Sequence, residues 1–138
     1  MIEIAELTHP TDVVDEIIRE RAIRAKVKQS RQFVATIHGR EAGYLSFDDH
    51  SDTQTGVIYE VFVLPKFRKL GVGSSLVAFA EELASTLKCI RLRLSAIPFD
   101  RSVTQNWLDS WYTKRGYIPA SDGSHELEKN ISVSSDSD

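Results

Sequence analysis

A strand, a glycine-rich turn and a helix start follow one another in mid-chain, and that order constrains the fold more than any other feature. The strand is the apolar run Val57-Ile58-Tyr59-Glu60-Val61-Phe62-Val63-Leu64, ended by Pro65. The turn is Arg68-Lys69-Leu70-Gly71-Val72-Gly73. Beyond it Leu76, Val77, Phe79, Ala80, Leu83, Ala84 and Leu87 recur with helical spacing. Such a turn leaves several backbone N–H groups unpaired, and the helix places partial positive charge at its first turn. Glycine lets the backbone come close to a ligand and take up positive φ. The segment is therefore a cradle for an anionic group such as a pyrophosphate.

The cradle is not a Walker loop, because no Gly-x-x-x-x-Gly-Lys-[Ser/Thr] occurs. The dinucleotide fingerprint needs a third glycine three residues after the second, and Leu76 stands there. Both tests disfavour an ATP- or NAD-binding domain. The pattern Arg-x-x-Gly-x-Gly after a strand ending in Val-x-Pro resembles instead the coenzyme A loop of the GNAT superfamily of N-acetyltransferases. The segment Trp111-Tyr112-Thr113-Lys114-Arg115-Gly116-Tyr117 is similar to that family's second signature, an aromatic-Tyr-x-x-x-Gly-aromatic run near the C-terminus. A helix and a strand separate the two motifs, as the family requires. His125-Glu126-Leu127-Glu128-Lys129 is similar to the last family strand, so the resemblance runs from residue 2 to 131.

The resemblance implies an α/β fold of GNAT type: a mixed, mostly antiparallel central sheet of six or seven strands flanked by helices. The fourth and fifth strands would be parallel and splayed, joined by a right-handed crossover through the coenzyme helix. The length of 138 residues suits one domain, expected over 1–131, with a serine- and aspartate-rich disordered tail over 132–138. A chain 41% hydrophobic and 27% charged is globular in composition. A net charge of -3 without a basic run argues against a nucleic-acid partner. No signal peptide or membrane span is legible, so a cytoplasmic protein with no membrane partner is expected. The single cysteine, Cys89, excludes an internal disulfide, fits a reducing compartment and reads as packing.

The remaining elements follow from periodicity. Ile2 to Leu7 alternates as a half-buried strand does. Val13 to Ala25 has helical spacing, with Thr11 or Asp12 available as a cap and the charged run Arg19 to Arg21 suggesting a bend. Gln32–His38 and Glu41–Asp48 read as strands of a hairpin turning at Gly39-Arg40. Asp48 to Thr55 reads as a polar loop and Ile90–Leu94 as a fifth strand. Ile97 to Asp100 reads as a turn, and Ser102 with Gln105 as a capping box opening the helix that carries Leu108, Trp111, Tyr112 and Arg115 on one face. Gly116 stands where a helix terminator is expected. Tyr117–Pro119 and His125–Val133 complete the sheet.

The resemblance assigns roles within this frame. The co-substrate would be acetyl-CoA and the acceptor a primary amine of a small molecule or of a protein. The backbone of Phe62, Val63 and Leu64 would bind the pantetheine arm where a bulge splays the central strand, and the Val63 amide would donate to the thioester carbonyl. The amides of Arg68, Lys69, Leu70, Gly71, Val72 and Gly73 would hold the pyrophosphate, helped by the hydroxyls of Ser74 and Ser75. Tyr112 occupies the position of the general acid. Glu60 is a candidate base, with a chain of waters as the alternative, and its strand parity opposes Val63 unless the bulge intervenes. Asn106 stands six residues before Tyr112, where the family pattern usually places an asparagine seven before, which weakens its expected contact with pantetheine. Phe99 and Asp100 border the acceptor site by the same resemblance. Trp107 and Trp111 read as packing. The histidines are scattered, and no spacing suggests a metal. Homodimers are common in the family. A different class of reading also fits: a coenzyme A-binding module without catalysis, acting as a sensor or interaction partner.

Overall fold

The computed structural model describes residues 1–27, 29–96 and 103–132. The strands are β1 (Ile2–Glu6), β2 (Ser30–Ile37), β3 (Arg40–His50), β4 (Thr55–Val63), β5 (Arg91–Leu94), β6 (Ile118–Pro119) and β7 (Leu127–Asn130). The helices are α1 (Glu16–Ala25), α2 (Val72–Thr86) and α3 (Gln105–Thr113). One seven-stranded sheet runs in the order β1-β2-β3-β4-β5-β7-β6. Every neighbouring pair is antiparallel except β4 and β5, which are parallel. This is the mostly antiparallel GNAT-like sheet with a parallel fourth and fifth strand that the motifs imply.

The β2–β3 hairpin turns one residue earlier than Gly39-Arg40. Ile37 pairs with Arg40, and His38 (φ 51) and Gly39 (φ 78) form the two-residue turn between them. Positive φ at both positions matches the right-handed twist of the strands, and glycine supplies it at Gly39 without steric cost. The expected polar loop at Asp48 to Thr55 is also shorter. Asp48, Asp49 and His50 pair with Val57, Gly56 and Thr55, leaving a single tight turn at Ser51–Thr53.

The first helix begins later than its apolar spacing suggests. Pro10–Asp12 forms a short 3₁₀ turn and Val13 is extended. The cap is Asp15, whose side chain accepts from the Ile18 amide, rather than Thr11 or Asp12. The Glu41 carboxylate accepts from the Val14 and Asp15 amides at 3.1 and 2.6 Å. These amides are satisfied by a strand 26 residues away, which local spacing cannot reveal. The expected bend at Arg19 to Arg21 is absent, and α1 is one continuous helix. Arg19 reaches back to the Val13 and Val14 carbonyls, and Arg21 pairs with Glu60 on the sheet. Partnered charges of this kind do not interrupt a helix.

The sheet buries both faces. On one, Gln32 donates to the Ala22 carbonyl of α1 and to the Tyr44 hydroxyl, both at 2.7 Å, fixing the helix against β2 and β3. On the other, α2 lies so close to β3 that a Cβ on Gly43 would stand 2.8 Å from Val72 Cγ1 and 3.1 Å from the Phe62 carbonyl. Phe33 and Phe79 meet edge to face on this side, 4.8 Å between centroids. Cys89 is fully buried, which matches its reading as a packing residue.

Two features of the C-terminal third position the site. The α3 cap is Thr104, which accepts from the Trp107 amide at 3.1 Å, two residues later than a capping box on Ser102. Gly116 (φ 96) ends the segment, with its amide bonded to the Thr113 carbonyl and that of Tyr117 to the Tyr112 carbonyl. This pair of bonds is the Schellman termination expected of a glycine after a helix. Ser102, the turn at Ile97 to Asp100 and the tail beyond Ser132 lie outside the described residues.

Candidate active site

A cleft opens where β4 outruns β5. The two strands pair from Thr55–Arg91 to Ile58–Leu94, and β4 then continues to Val63 paired, among the described residues, to β3 alone. One residue beyond the end of that parallel pairing, the register with β3 shifts: Ser46 faces Glu60 while Phe47 faces Ile58, so Tyr59 is an extra residue on β4. A bulge at this point raises the local twist and turns the strand away from its neighbour. The bulge that the resemblance implies therefore exists, and it lies at Tyr59.

Successive amides of an extended strand point to opposite edges. The Leu64 amide donates to the Ala42 carbonyl on the β3 side at 2.9 Å. The Val63 amide consequently faces the other edge, into the cleft. The Val63 carbonyl is turned the same way and accepts from Arg68 Nε at 2.9 Å. A cavity of about 570 Å³ fills the cleft. Its wall on the sheet side is β4 from Ile58 to Val63, and α3 contributes Trp107, Leu108, Trp111 and Tyr112.

The third wall is the glycine turn. Gly71 (φ 85) is the residue before α2 and offers no side chain to cap it, so among the described residues no side chain takes up the first amides of the helix. Lys69 also takes positive φ, at 66°. A Cβ on Gly73 would meet only Trp111 and Val63, at 3.6 Å and beyond, an ordinary contact. Within the protein an alanine would fit at this position, and Gly73 itself lines the cavity. Arg68, Lys69, Gly71, Val72, Gly73 and Ser74 line the cavity together with Glu60, Phe62, Val63 and Tyr112. Leu64, Leu70, Ser75 and Asn106 do not: Leu64 is buried in the core, while Leu70 and Asn106 are exposed. Phe99 and Asp100 lie outside the described residues.

Tyr112 is buried against Trp111 and Tyr117, edge to face at 4.9 and 5.5 Å. Burial pushes its phenol up to about 12, with the Arg115 charge pulling the other way. Glu60 is also buried, and its carboxylate is paired with the Arg21 guanidinium, which lies 3.8 Å above the Phe62 ring. Burial raises the Glu60 carboxyl above its ordinary range, and Arg21 opposes that rise. Glu60 thus faces α1, whereas Val63 faces Gly73 on α2. The bulge at Tyr59 precedes both residues, so their parity stays opposed.

Two residues read as packing belong to the cavity wall. Trp111 and Trp107 both line it, and Trp107 is 55% exposed. The signal was present in the spacing, since 107, 108, 111 and 112 share one side of a helix. Arg115, which the spacing places on the α3 face, lies in the turn after the helix, and only the tertiary structure brings it to Ser74. Among the described residues no cluster of His, Cys, Asp or Glu could hold a metal ion, and no helix is long and apolar enough to cross a membrane.

A family model described as an acetyltransferase (GNAT) domain matches residues 28–119. No curated protein sequence matches the chain. Among solved structures, the ribosomal-protein-S18-alanine N-acetyltransferase from Escherichia coli superposes with a TM-score of 0.69 at 14% identity, covering 99% of this chain and 98% of that one. The PaiA N-acetyltransferase from Thermoplasma acidophilum, solved in complex with coenzyme A, gives 0.67 at 14% identity over 95% and 99%. A nourseothricin acetyltransferase gives 0.59 at 20% identity over 75% of this chain, which spans 66% of that protein's chain. At these identities the likeness is one of fold.

Proposed function

The chain belongs to the GNAT acetyltransferase family, and on that premise we propose that it moves the acetyl group of acetyl-CoA to a primary amine of a small molecule or protein. The observation that carries this reading is the open edge of β4: the Val63 amide faces a cavity that the Gly71–Gly73 turn and Tyr112 also line. In this reading the pyrophosphate lies on the uncapped first turn of α2 and the pantetheine arm runs along β4. The thioester carbonyl then accepts from the Val63 amide. A preorganised donor of this kind contributes roughly 3 kcal/mol once the oxygen gains negative charge.

The amine must attack in its neutral form. An alkyl ammonium of pKa ~10.4 is about three units above neutral pH, so losing its proton costs ~4 kcal/mol. Glu60 is the acceptor for that proton in this reading, working through water because it sits on the opposite face of β4 from Val63. The C–N bond forms as the C=O π bond opens, and the C–S bond then breaks as the carbonyl re-forms. Tyr112 donates its phenolic proton to the departing sulfur. The second proton of the attacking nitrogen returns to the phenolate, so the products are an amide and a free thiol.

Calorimetric titration with acetyl-CoA, coenzyme A and ATP tests the reading first. Micromolar binding of both coenzymes without ATP binding is expected, followed by thiol release when a panel of amines is added to acetyl-CoA. Failure of either coenzyme to bind would overturn it. Binding without thiol release for any amine would favour a coenzyme A-binding module instead.

A further inference from the structure

Arg115 is held at three points beside the cradle. Its Nη2 donates to Ser74 Oγ at 2.6 Å, joining the turn after α3 to the first turn of α2. Its Nη1 donates to the Trp111 carbonyl at 3.0 Å, and the guanidinium lies 3.5 Å from the Trp111 ring centroid. Among the described residues no carboxylate pairs with it. The fixed cation therefore has its charge uncompensated, next to a helix end that is itself partly positive.

Ser74 lines the cavity and makes no other side-chain hydrogen bond among the described residues. A hydroxyl has one hydrogen and two lone pairs. Arg115 can only donate, so it fills a lone pair and leaves the hydroxyl hydrogen free to turn into the cavity. A cation bonded to the oxygen also makes that hydrogen a stronger donor. We propose that Arg115 is a positioning residue for the coenzyme's pyrophosphate: it sets the Ser74 hydroxyl as a donor toward the cavity and biases the cradle toward anions. This inference rests on the coenzyme reading above and assigns a task to a residue outside the glycine turn.

The test uses three ligands that differ in phosphate content: coenzyme A, dephospho-coenzyme A and S-acetylpantetheine. Arg115→Met keeps a flexible stem against Trp111 and removes the charge. It should weaken coenzyme A and dephospho-coenzyme A alike, by about tenfold or more, the loss expected when a charge-assisted bond is removed. Its affinity for S-acetylpantetheine, which carries no phosphate, should stay at the wild-type value. Ser74→Ala should show the same selectivity, and the double variant should lose little more than either single one. Turnover should follow chiefly as a raised KM for acetyl-CoA, and Arg115→Lys, which keeps the charge beside Tyr112, should restore part of the affinity. An unchanged coenzyme A affinity in Arg115→Met would overturn the inference. So would an equal loss for S-acetylpantetheine, the mark of a purely structural role. If the wild type binds no coenzyme at all, the reading of the site fails along with this one; if it binds and Arg115→Met binds equally, only this inference fails.

Discussion

A phenol held near 12 keeps its proton throughout the range in which most enzymes work, and Tyr112 is such a group. It is a weaker acid than a thiol of pKa ~8.5, so it serves the leaving sulfur as a hydrogen-bond donor whose proton is replaced as it leaves. Tyr112→Phe should lower kcat by roughly 10²- to 10⁴-fold while leaving coenzyme affinity in place, as single-turnover kinetics beside calorimetry would show. The competent form is the protonated one, present below about pH 12. The wild-type rate should therefore rise with pH as the amine deprotonates and show no descending limb from Tyr112 below about pH 11. The same shift has a stability consequence that Tyr44 shares, because burial also pushes that phenol up to about 12. In the unfolded chain both ionise near ~10. Between those values the unfolded state has released protons that the folded state still holds, so stability is intact below pH ~10 and falls as pH rises toward 12. The slope is about 1.4 kcal/mol per pH unit for each tyrosine, and Tyr112→Phe should remove its own contribution in urea melts at pH ~9 and ~11.5, leaving those of Tyr44 and of Tyr117, whose phenol burial also pushes up.

Among the elements, the approach of α2 to β3 is the closest fit that bears on the site. Gly43→Ala would drive a methyl into Val72 and the Phe62 carbonyl, and the backbone atom cannot yield. We expect a loss of about 1–3 kcal/mol in denaturant melts. Coenzyme affinity should fall with it, because Val72 opens α2 and its displacement moves the cradle. The strand–turn–helix unit was legible because its parts are local: an apolar run, a proline stop, glycines and a 3.6-residue period. The start of α1 was not, because Val13 and Val14 continue its apolar spacing while Glu41, from another strand, claims the amides. The bond from Arg115 to Ser74 was hidden for the same reason, since the two are 41 residues apart. The bulge was implied only by resemblance, and pairing of β3 with β4 is what places it at Tyr59.

At the scale of the whole molecule, the two motifs sufficed for the strand count and the parallel pair, because each pins a crossover to a known neighbour. Hairpins and edges were less legible: β7 inserts between β5 and β6, an arrangement that no local spacing encodes. A ligand that binds only the folded chain stabilises it by mass action, by about 2.7 kcal/mol at a hundred times its Kd. For a domain of this size that should raise Tm by roughly 8–12 °C in a calorimetric scan with coenzyme A, and ATP should leave it unmoved.

An exposed strand edge ordinarily invites another chain to pair with it and so promotes aggregation. Beyond Ile58, β4 has such an edge, yet Trp107, Leu108, Trp111 and Tyr112 roof it. Those side chains line the same cavity as the open edge, so apolar surface stands where a further strand would have to pair. The hazard that comes with an unpaired edge is thereby reduced by the same side chains that frame the cavity.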